Sequence, residues 1–191
     1  MTQLAGLGNI VRFTHLSPSS CAALQALWPS TAPSSTEASV KAMSSSVLDV
    51  MKEENVTLSS VCLLDPKAEK PLTPEDGDGR FKWFLFGGIL GDDPPRDRTS
   101  ELRVLGFPTR HLGTVQMTTD TALGVTKAVV VDNTPLDKIP YIDYPTIRFN
   151  AQESVEMPFR YIKTADGQPL LPDGMRDLLK ADLDKGFDLD E

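Results

Sequence analysis

The chain has 191 residues and a formal net charge of −8, from 19 Lys and Arg against 27 Asp and Glu. This length fits one domain with a substantial core, and the composition of 40% hydrophobic and 24% charged residues argues against global disorder. The sequence contains no run of about 18 apolar residues and no basic, apolar N-terminal leader, so we predict neither a membrane span nor a secretory signal. The acidic balance disfavours a large nucleic-acid footprint and favours basic partners.

The few cysteines and histidines do not predict a metal centre. Cys21 and Cys62, with His15 and His111, have none of the short spacings that zinc sites use. We therefore expect plain buried thiols in a reducing compartment, and a cytoplasmic protein without a metal.

The first half of the chain predicts two strands, two helices and a long loop. The β-branched segment 9–14 predicts a strand, and Ser17 followed by Pro18 predicts the start of a short helix. Apolar residues at helical spacing predict a second helix: Val40, Met43, Val47 and Val50. Residues 58–64 predict the second strand, whereas 65–80 has no apolar period and predicts a loop or a linker between halves.

The second half predicts further strands that alternate with helices. Residues 81–86 predict the strongest strand, 96–105 a short helix and 107–111 a short strand. The next helix is capped by Thr118, Thr119 or Asp120 and has the apolar residues Ala122, Val125 and Val129. Segment 135–162 is rich in Pro and aromatics with little periodicity, and a last helix is expected from Met175 to Leu183. This alternation predicts an α/β domain with a mostly parallel sheet flanked by helices.

Two loops that follow predicted strands are candidates for ligand binding. Gly87, Gly88 and Gly91 allow close backbone approach to a ligand, although a tight turn explains them equally well. The segment 110–122 leaves a strand, turns at Gly113 and opens a helix whose free N–H groups suit an anionic group. Ordinary helix capping is the alternative, and His111 is either a general base or a structural residue.

Two further segments combine charges with rigid or aromatic neighbours. Residues 92–98 (DDPPRDR) are stiffened by two prolines and place carboxylates beside the glycine loop, or form a solvated loop with ion pairs. Tyr141, Asp143 and Tyr144, with the acidic stretch 153–160, suit a cationic guest or simply wrap the core.

Read together, these stretches resemble one family. FLFGGILGD (84–92), PPRDRT (94–99), FPTRHLG (107–113) and QMTTDTA (116–122), then IPYIDYP (139–145) and ESVEMPFRY (153–161), look like the SPOUT-class protein arginine methyltransferases of fungi and other eukaryotes. The resemblance covers residues 58–190. It implies an α/β fold with a C-terminal trefoil knot, bound S-adenosylmethionine, and a monomer that methylates an arginine of a small-subunit ribosomal protein.

The resemblance also implies which residues contact the cofactor. They are the members of three knot loops: Phe86, Gly87, Gly88, Ile89, Leu90, Gly91, Arg110, His111, Leu112, Gly113, Gln116, Met117, Thr118, Thr119, Thr121 and Ala122. The front of the chain departs from the family pattern, because an initial strand and helix are not recognisable and the Ser-rich stretch 30–46 matches poorly. We otherwise expect one domain over 1–191, with 184–191 as an acidic tail.

An arginine acceptor needs a carboxylate that holds its guanidinium and accepts its proton. The candidates are Asp92, which lies beside the glycine loop, and Glu101, Glu153 and Glu156. The expected partner is thus a basic ribosomal protein, with nucleic acid met only indirectly on the ribosome. One alternative is an RNA methyltransferase of the same class, whose basic patch would be Arg96, Arg98, Arg103 and Arg110. The other is a degenerate, non-catalytic module that binds a cofactor or a partner.

Overall fold

The structure is a computed structural model that describes residues 1–27, 36–87, 97 and 99–187. The strands of this part of the chain are β1 (Ile10–Phe13), β2 (Ser39–Ala42), β3 (Val61–Leu64), β4 (Trp83–Phe86), β5 (Thr109–Arg110), β6 (Tyr141–Asp143), β7 (Thr146–Arg148), β8 (Ser154–Glu156) and β9 (Arg160–Ile162). The helices are α1 (Thr2–Ala5), α2 (Pro18–Leu27), α3 (Val47–Glu53), α4 (Ser100–Arg103), α5 (Thr119–Val130) and α6 (Met175–Phe187).

A three-stranded parallel sheet in the order β4-β3-β5 forms the centre of the molecule. All four residues of β3 are buried, which is typical of a parallel strand covered on both faces. Cys62 and Leu64 pack on one side with Val125 and Val129 of α5. Val61 and Leu63 alternate to the other side, where they meet α3 and the loop before β5. The α/β class with parallel strands between helices is therefore confirmed.

A second, separate pair of parallel strands lies near the N-terminus, where β1 pairs with β2 from Ile10↔Ser39 to Phe13↔Ala42. The helix predicted over Val40–Val50 is therefore wrong in its first half. The capping box of Ser46 and Asp49 fixes the start of α3 at Val47. The helical spacing of Val40 and Met43 was a coincidence, because both lie in or beside an extended strand.

The segment 135–162 is more regular than its sequence predicted. It forms two antiparallel ladders, β6 with β9 and β7 with β8, and each strand has only three residues. Such short strands give no readable alternation, which is why periodicity missed them. Their apolar residues form a separate small core with the end of the chain, including Ile147, Met157 and Tyr161.

Of the two alternatives predicted for the segment 65–80, the structure favours a loop over a linker between halves. Leu72 is 1% exposed and belongs to the same core as Cys62 and Val125. A 3-10 helix over Pro74–Gly77 packs against α5 and starts with a capping box from Thr73. The segment therefore contributes to the central core. The sequence did not predict this, because most residues around Leu72 are charged or polar.

The other predicted elements are confirmed, most of them with shorter bounds. The strand predicted over 58–64 begins with a 3-10 helix at Leu58–Ser60, and the helix predicted over 96–105 is the single turn Ser100–Arg103. The last helix reaches Phe187 and so extends into the predicted tail 184–191. No helix of the described ranges is long and apolar enough to cross a membrane. The trefoil knot stays a prediction, since residues 88–92 of the expected loop 87–92 lie outside the described residues.

Candidate cofactor site

The carboxyl ends of the three central strands meet at one edge of the sheet. Leu64 is in register with both Phe86 and Arg110, so the chain leaves β3, β4 and β5 at the same level. Ligands of parallel sheets bind beyond this edge. The predicted cofactor segments that begin at Phe86 and Arg110 thus start at the same level of the sheet, on either side of β3.

The loop after β5 is held in a tight turn. The Gly113 N–H donates to His111 Nδ1 at 3.1 Å, and Gly113 has a φ of 110°, which favours glycine. The backbone of His111 also bonds to Lys70 and Leu72 in the segment 65–80. His111 therefore shapes the turn through Nδ1, which supports the structural alternative for this residue.

The start of α5 is capped by its own threonines. The Thr118 hydroxyl accepts the Thr121 N–H at 3.3 Å and donates to the Thr121 hydroxyl at 2.7 Å. Both side chains are buried, at 7% and 3% exposure. Ordinary capping thus accounts for these two hydroxyls, and Thr119 and Ala122 of the same turn are half-buried.

Three apolar residues, one from each predicted cofactor loop, converge on the central core. Phe86, Leu112 and Met117 are half-buried and pack on the same cluster as Tyr141. Phe86 ends β4 and Leu112 follows β5, so both bring apolar surface to the carboxyl edge of the sheet. Such a surface suits a flat aromatic group of a ligand.

Arg160 of β9 holds the last of these loops, a role that the sequence did not predict. Its backbone N–H donates to the Gln116 carbonyl at 2.8 Å, and its side-chain Nη1 lies 3.9 Å from the position of a Cβ added at Gly113. Its Nε and Nη2 bond both Asp143 oxygens at 2.6 and 2.8 Å. Arg160 therefore connects the antiparallel pair of β6 and β9 to the loop 113–117.

Tyr141 lies directly beneath this arginine. The Arg160 guanidinium carbon is 4.6 Å from the Tyr141 ring centroid, a cation–π distance. Burial raises the pKa of Tyr141 to about 12, with a smaller opposing effect from Arg160. The Tyr141 hydroxyl is buried without a hydrogen-bond partner among the described residues, so it is available to a polar ligand atom. Hydrogen bonds from Arg160 hold the pKa of Asp143 below its usual range.

Arg110, which is predicted to contact the cofactor, forms an ion pair with Asp76 of the segment 65–80. Its Nε and Nη2 bond Asp76 at 2.8 and 2.9 Å, and its guanidinium carbon lies 5.5 Å from the Phe81 ring centroid. Asp76 is 3% exposed. The pair anchors the 3-10 helix of the segment 65–80 beneath β5, so this guanidinium supports the loop.

A buried carboxylate at the end of β3 anchors the segment that follows the glycine loop. Asp65 is 1% exposed and accepts hydrogen bonds from Arg103 Nη2 at 2.8 Å and the Thr99 hydroxyl at 3.1 Å. Arg103 Nη1 also bonds Asp97 at 3.1 Å. The hydrogen bond from Arg103 is the main cause that lowers the pKa of Asp65. The chain beyond 88–96 is thus fixed to the central strand.

The remaining predicted residues lie in three places. Glu101 is exposed on α4, and Glu156 is exposed at the end of β8. Glu153 accepts a hydrogen bond from Asn150. Seven predicted residues lie outside the described residues: Gly88, Ile89, Leu90, Gly91 and Asp92, with Arg96 and Arg98 of the alternative RNA-binding patch. Within the described ranges, no group of three or more His, Cys, Asp and Glu side chains could hold a metal ion.

Comparison with known proteins identifies the family. The family described as "Protein arginine N-methyltransferase SFM1-like" matches residues 1–186. The chain therefore belongs to the SFM1-like family of protein arginine N-methyltransferases. It is 51% identical over 132 residues to the protein arginine N-methyltransferase SFM1 of Saccharomyces cerevisiae, and that alignment covers 67% of this chain and 61% of the yeast protein.

Solved structures give the same family. The yeast arginine methyltransferase SFM1 complexed with SAM matches with a TM-score of 0.75 and 38% identity, over 90% of this chain and 76% of that chain. A structure described as a novel protein arginine methyltransferase matches with a TM-score of 0.72 and 38% identity, over 90% and 84% of the two chains.

Proposed function

We propose that this protein is an S-adenosylmethionine-dependent protein arginine N-methyltransferase. The observation that carries the proposal is the convergence of Phe86, Leu112 and Met117 at the carboxyl edge of the parallel sheet, in a chain that belongs to an arginine methyltransferase family. The related yeast enzyme has been solved with S-adenosylmethionine, which supports the same cofactor here.

The site has features that fit this cofactor. The apolar surface of Phe86, Leu112 and Met117 suits an adenine ring, and the tight turn at Gly113 lets the backbone approach it. The Tyr141 hydroxyl, which has no hydrogen-bond partner in the described part of the chain, offers a polar contact near these residues. When bound, the cofactor supplies an electrophilic methyl group on a sulfonium.

The chain's own residues would then position the acceptor and remove its proton. An arginine side chain is protonated at neutral pH, so a carboxylate must hold it and accept a proton as the new bond forms. We propose Asp92 first, because it directly follows Gly91 in the sequence. Glu101 and Glu156 are the alternatives; Glu101 belongs to α4, which Arg103 ties to the end of β3.

We further propose that the substrate is a basic ribosomal protein of the small subunit, and that the enzyme acts in the cytoplasm as a monomer. The net charge of −8 supports a basic partner. The rival reading as an RNA methyltransferase loses two of its four arginines, since Arg103 and Arg110 are paired with Asp65, Asp97 and Asp76. Paired guanidiniums contribute little to a phosphate-binding face.

The test is a transfer assay with tritiated S-adenosylmethionine and purified small ribosomal subunits. We expect label in one ribosomal protein, retained after nuclease treatment and lost after protease treatment. The Asp92→Asn variant should bind the cofactor but transfer at least about a hundredfold more slowly. Label in RNA would refute the substrate, and failure of the wild-type protein to bind the cofactor would favour a degenerate module.

A further inference from the structure

Arg103 and Arg160 each bond a carboxylate through the same edge of the guanidinium. A guanidinium has a side edge, formed by Nε and Nη2, and an end edge, formed by Nη1 and Nη2, and each edge can donate two hydrogen bonds to one carboxylate. The side edge of Arg103 bonds both oxygens of Asp65, and that of Arg160 bonds both oxygens of Asp143. The two arginines therefore have the same edge left for a second partner.

The end edge is where the two arginines differ. In Arg103 this edge bonds a second carboxylate, because Nη1 and Nη2 each donate to an oxygen of Asp97 at 3.1 Å. In Arg160 only Nε and Nη2 donate hydrogen bonds within the described part of the chain, and both bonds go to Asp143. Arg103 thus shows the complete arrangement with two carboxylates, and Arg160 shows half of it.

The surroundings of Arg160 determine how a ligand can reach its end edge. The Tyr141 ring covers one face of the guanidinium, with 4.6 Å between the ring centroid and the guanidinium carbon. A ligand therefore approaches the end edge in the guanidinium plane. Gly113 lies beside Nη1 and has no side chain, whereas a Cβ there would be 3.9 Å from this nitrogen. The Arg160 side chain is 20% exposed, which strengthens a hydrogen bond to a ligand.

This end edge lies at the candidate cofactor site. Leu112 directly precedes Gly113 in the sequence, and Met117 forms a parallel bridge with Arg160. Leu112 and Met117 belong to the apolar residues that we propose for the adenine ring. A ligand that contacts both the apolar residues and the end edge needs an aromatic ring and a planar anionic group. S-adenosylmethionine has both, since its amino-acid end is a free carboxylate.

We propose that the end edge of Arg160 binds the carboxylate of the cofactor's amino-acid end, and that Asp143 is the residue that orients this guanidinium. The inference rests on the proposed function, because it takes S-adenosylmethionine as the ligand. Asp143 and Tyr141 hold the guanidinium in place before the ligand binds, so little side-chain freedom is lost on binding. Since Asp143 already neutralises the charge of Arg160, recognition depends on short hydrogen bonds and not on long-range attraction.

The first test compares two ligands that differ in a single group. Decarboxylated S-adenosylmethionine keeps the adenosine, the sulfonium and the amino group but lacks the carboxylate. Isothermal titration calorimetry with the full wild-type chain measures the Kd of each ligand. We expect the decarboxylated ligand to bind at least about tenfold more weakly, because it loses hydrogen bonds between charged groups.

The variant Arg160→Lys connects this difference to one side chain. Lysine keeps a positive charge for Asp143 but loses the planar fork of donors. S-adenosylmethionine should bind the variant about tenfold more weakly, whereas the Kd of the decarboxylated ligand should change by less than about twofold. Arg176→Lys is the matched control, since that guanidinium lies 6.0 Å from the Phe149 ring centroid and bonds the Arg148 carbonyl. It should leave both affinities unchanged.

A second measurement uses the wild-type chain and so does not depend on the folding of a variant. Phenylglyoxal condenses with the two terminal nitrogens of a guanidinium, so its reaction reports whether the end edge is free. Mass spectrometry of the peptides should show faster modification of Arg160 than of Arg103, although Arg103 is the more exposed, at 31% against 20%. S-adenosylmethionine should protect Arg160, and the decarboxylated ligand at equal saturation should leave it reactive.

The possible failures of the inference and of the proposed function are distinguishable. Equal affinity of the wild-type chain for the two ligands would overturn the inference and leave the proposed cofactor in place. An equal loss of affinity for both ligands in Arg160→Lys would also overturn it, because Arg160 would then act only as a support of the loop 113–117. Slower modification of Arg160 than of Arg103 would mean that its end edge is not free. Failure of the wild-type chain to bind either ligand would refute the proposed function, and the inference with it.

Discussion

Asp65 gives the sharpest test of how the site is held together. Its carboxylate is 1% exposed and accepts from Arg103, the Thr99 hydroxyl and the Lys67 N–H. Asp65→Asn keeps the shape of the side chain but removes its negative charge. The new amide NH₂ group, itself a donor, then faces one of these three donors. Loss of one partner of a buried ion pair costs about 3–5 kcal/mol, and of a charged hydrogen bond about 1.5–3 kcal/mol. Because Arg103 is 31% exposed and keeps some water, we expect about 2–3 kcal/mol.

Urea denaturation measures this loss. With a slope of about 1–3 kcal/mol per molar urea, the midpoint should fall by about 1 M. The matched control is Asp97→Asn, which removes the other carboxylate on Arg103 but at a side chain that is 30% exposed. The reasoning would be refuted if Asp65→Asn lowered the midpoint no more than Asp97→Asn does.

The same pair has a defined pH dependence. Hydrogen bonding from Arg103 lowers the pKa of Asp65 in the folded protein. The stabilisation is therefore fully present above the unfolded pKa of about 3.9 and is lost as the pH falls through the lower folded pKa. The difference in stability between wild type and Asp65→Asn should be constant above about pH 5 and shrink below about pH 4.

Three further substitutions follow from the packing, and thermal and urea unfolding check each. Gly77→Ala should cost about 1–3 kcal/mol, because its Cβ would lie 2.2 Å from the Val130 carbonyl oxygen; an unchanged midpoint would contradict this close approach. Thr118→Ala should cost about 1 kcal/mol as a lost helix cap, and a neutral result would contradict the capping role. Tyr141→Phe should stabilise the cofactor-free protein by about 1 kcal/mol, and destabilisation would mean that its hydroxyl has a partner.

The central strands β3 and β4 were predictable because their residues are buried or half-buried on both faces. Residues 61–64 and 83–86 read as apolar runs, which is the pattern of a parallel sheet covered by helices. The start of α5 was predictable for a local reason, since Thr118 caps it through an atom three residues away. Elements that are determined by interactions within one turn or one strand can thus be predicted from the sequence.

The supports of the site were not predictable, because they join residues far apart in the chain. The Arg160 side chain lies beside Gly113 and bonds Asp143, and Arg103 bonds Asp65. No regular sequence spacing indicates these contacts. Leu72 lay hidden among charged residues, although it is part of the core. The sequence motifs could thus point to the loops but not to the ion pairs beneath them.

These ion pairs also decide what the exposed charge can do. The guanidiniums of Arg103, Arg110 and Arg160 lie around the carboxyl edge of the sheet, yet each faces a carboxylate within 3.1 Å. Because these carboxylates neutralise the three guanidiniums, the arginines add little to the electrostatic potential around the protein. The field beyond this edge is then set by the excess of acids in a chain of net charge −8. This neutralisation of the three arginines is consistent with the proposed substrate, an arginine of a basic partner.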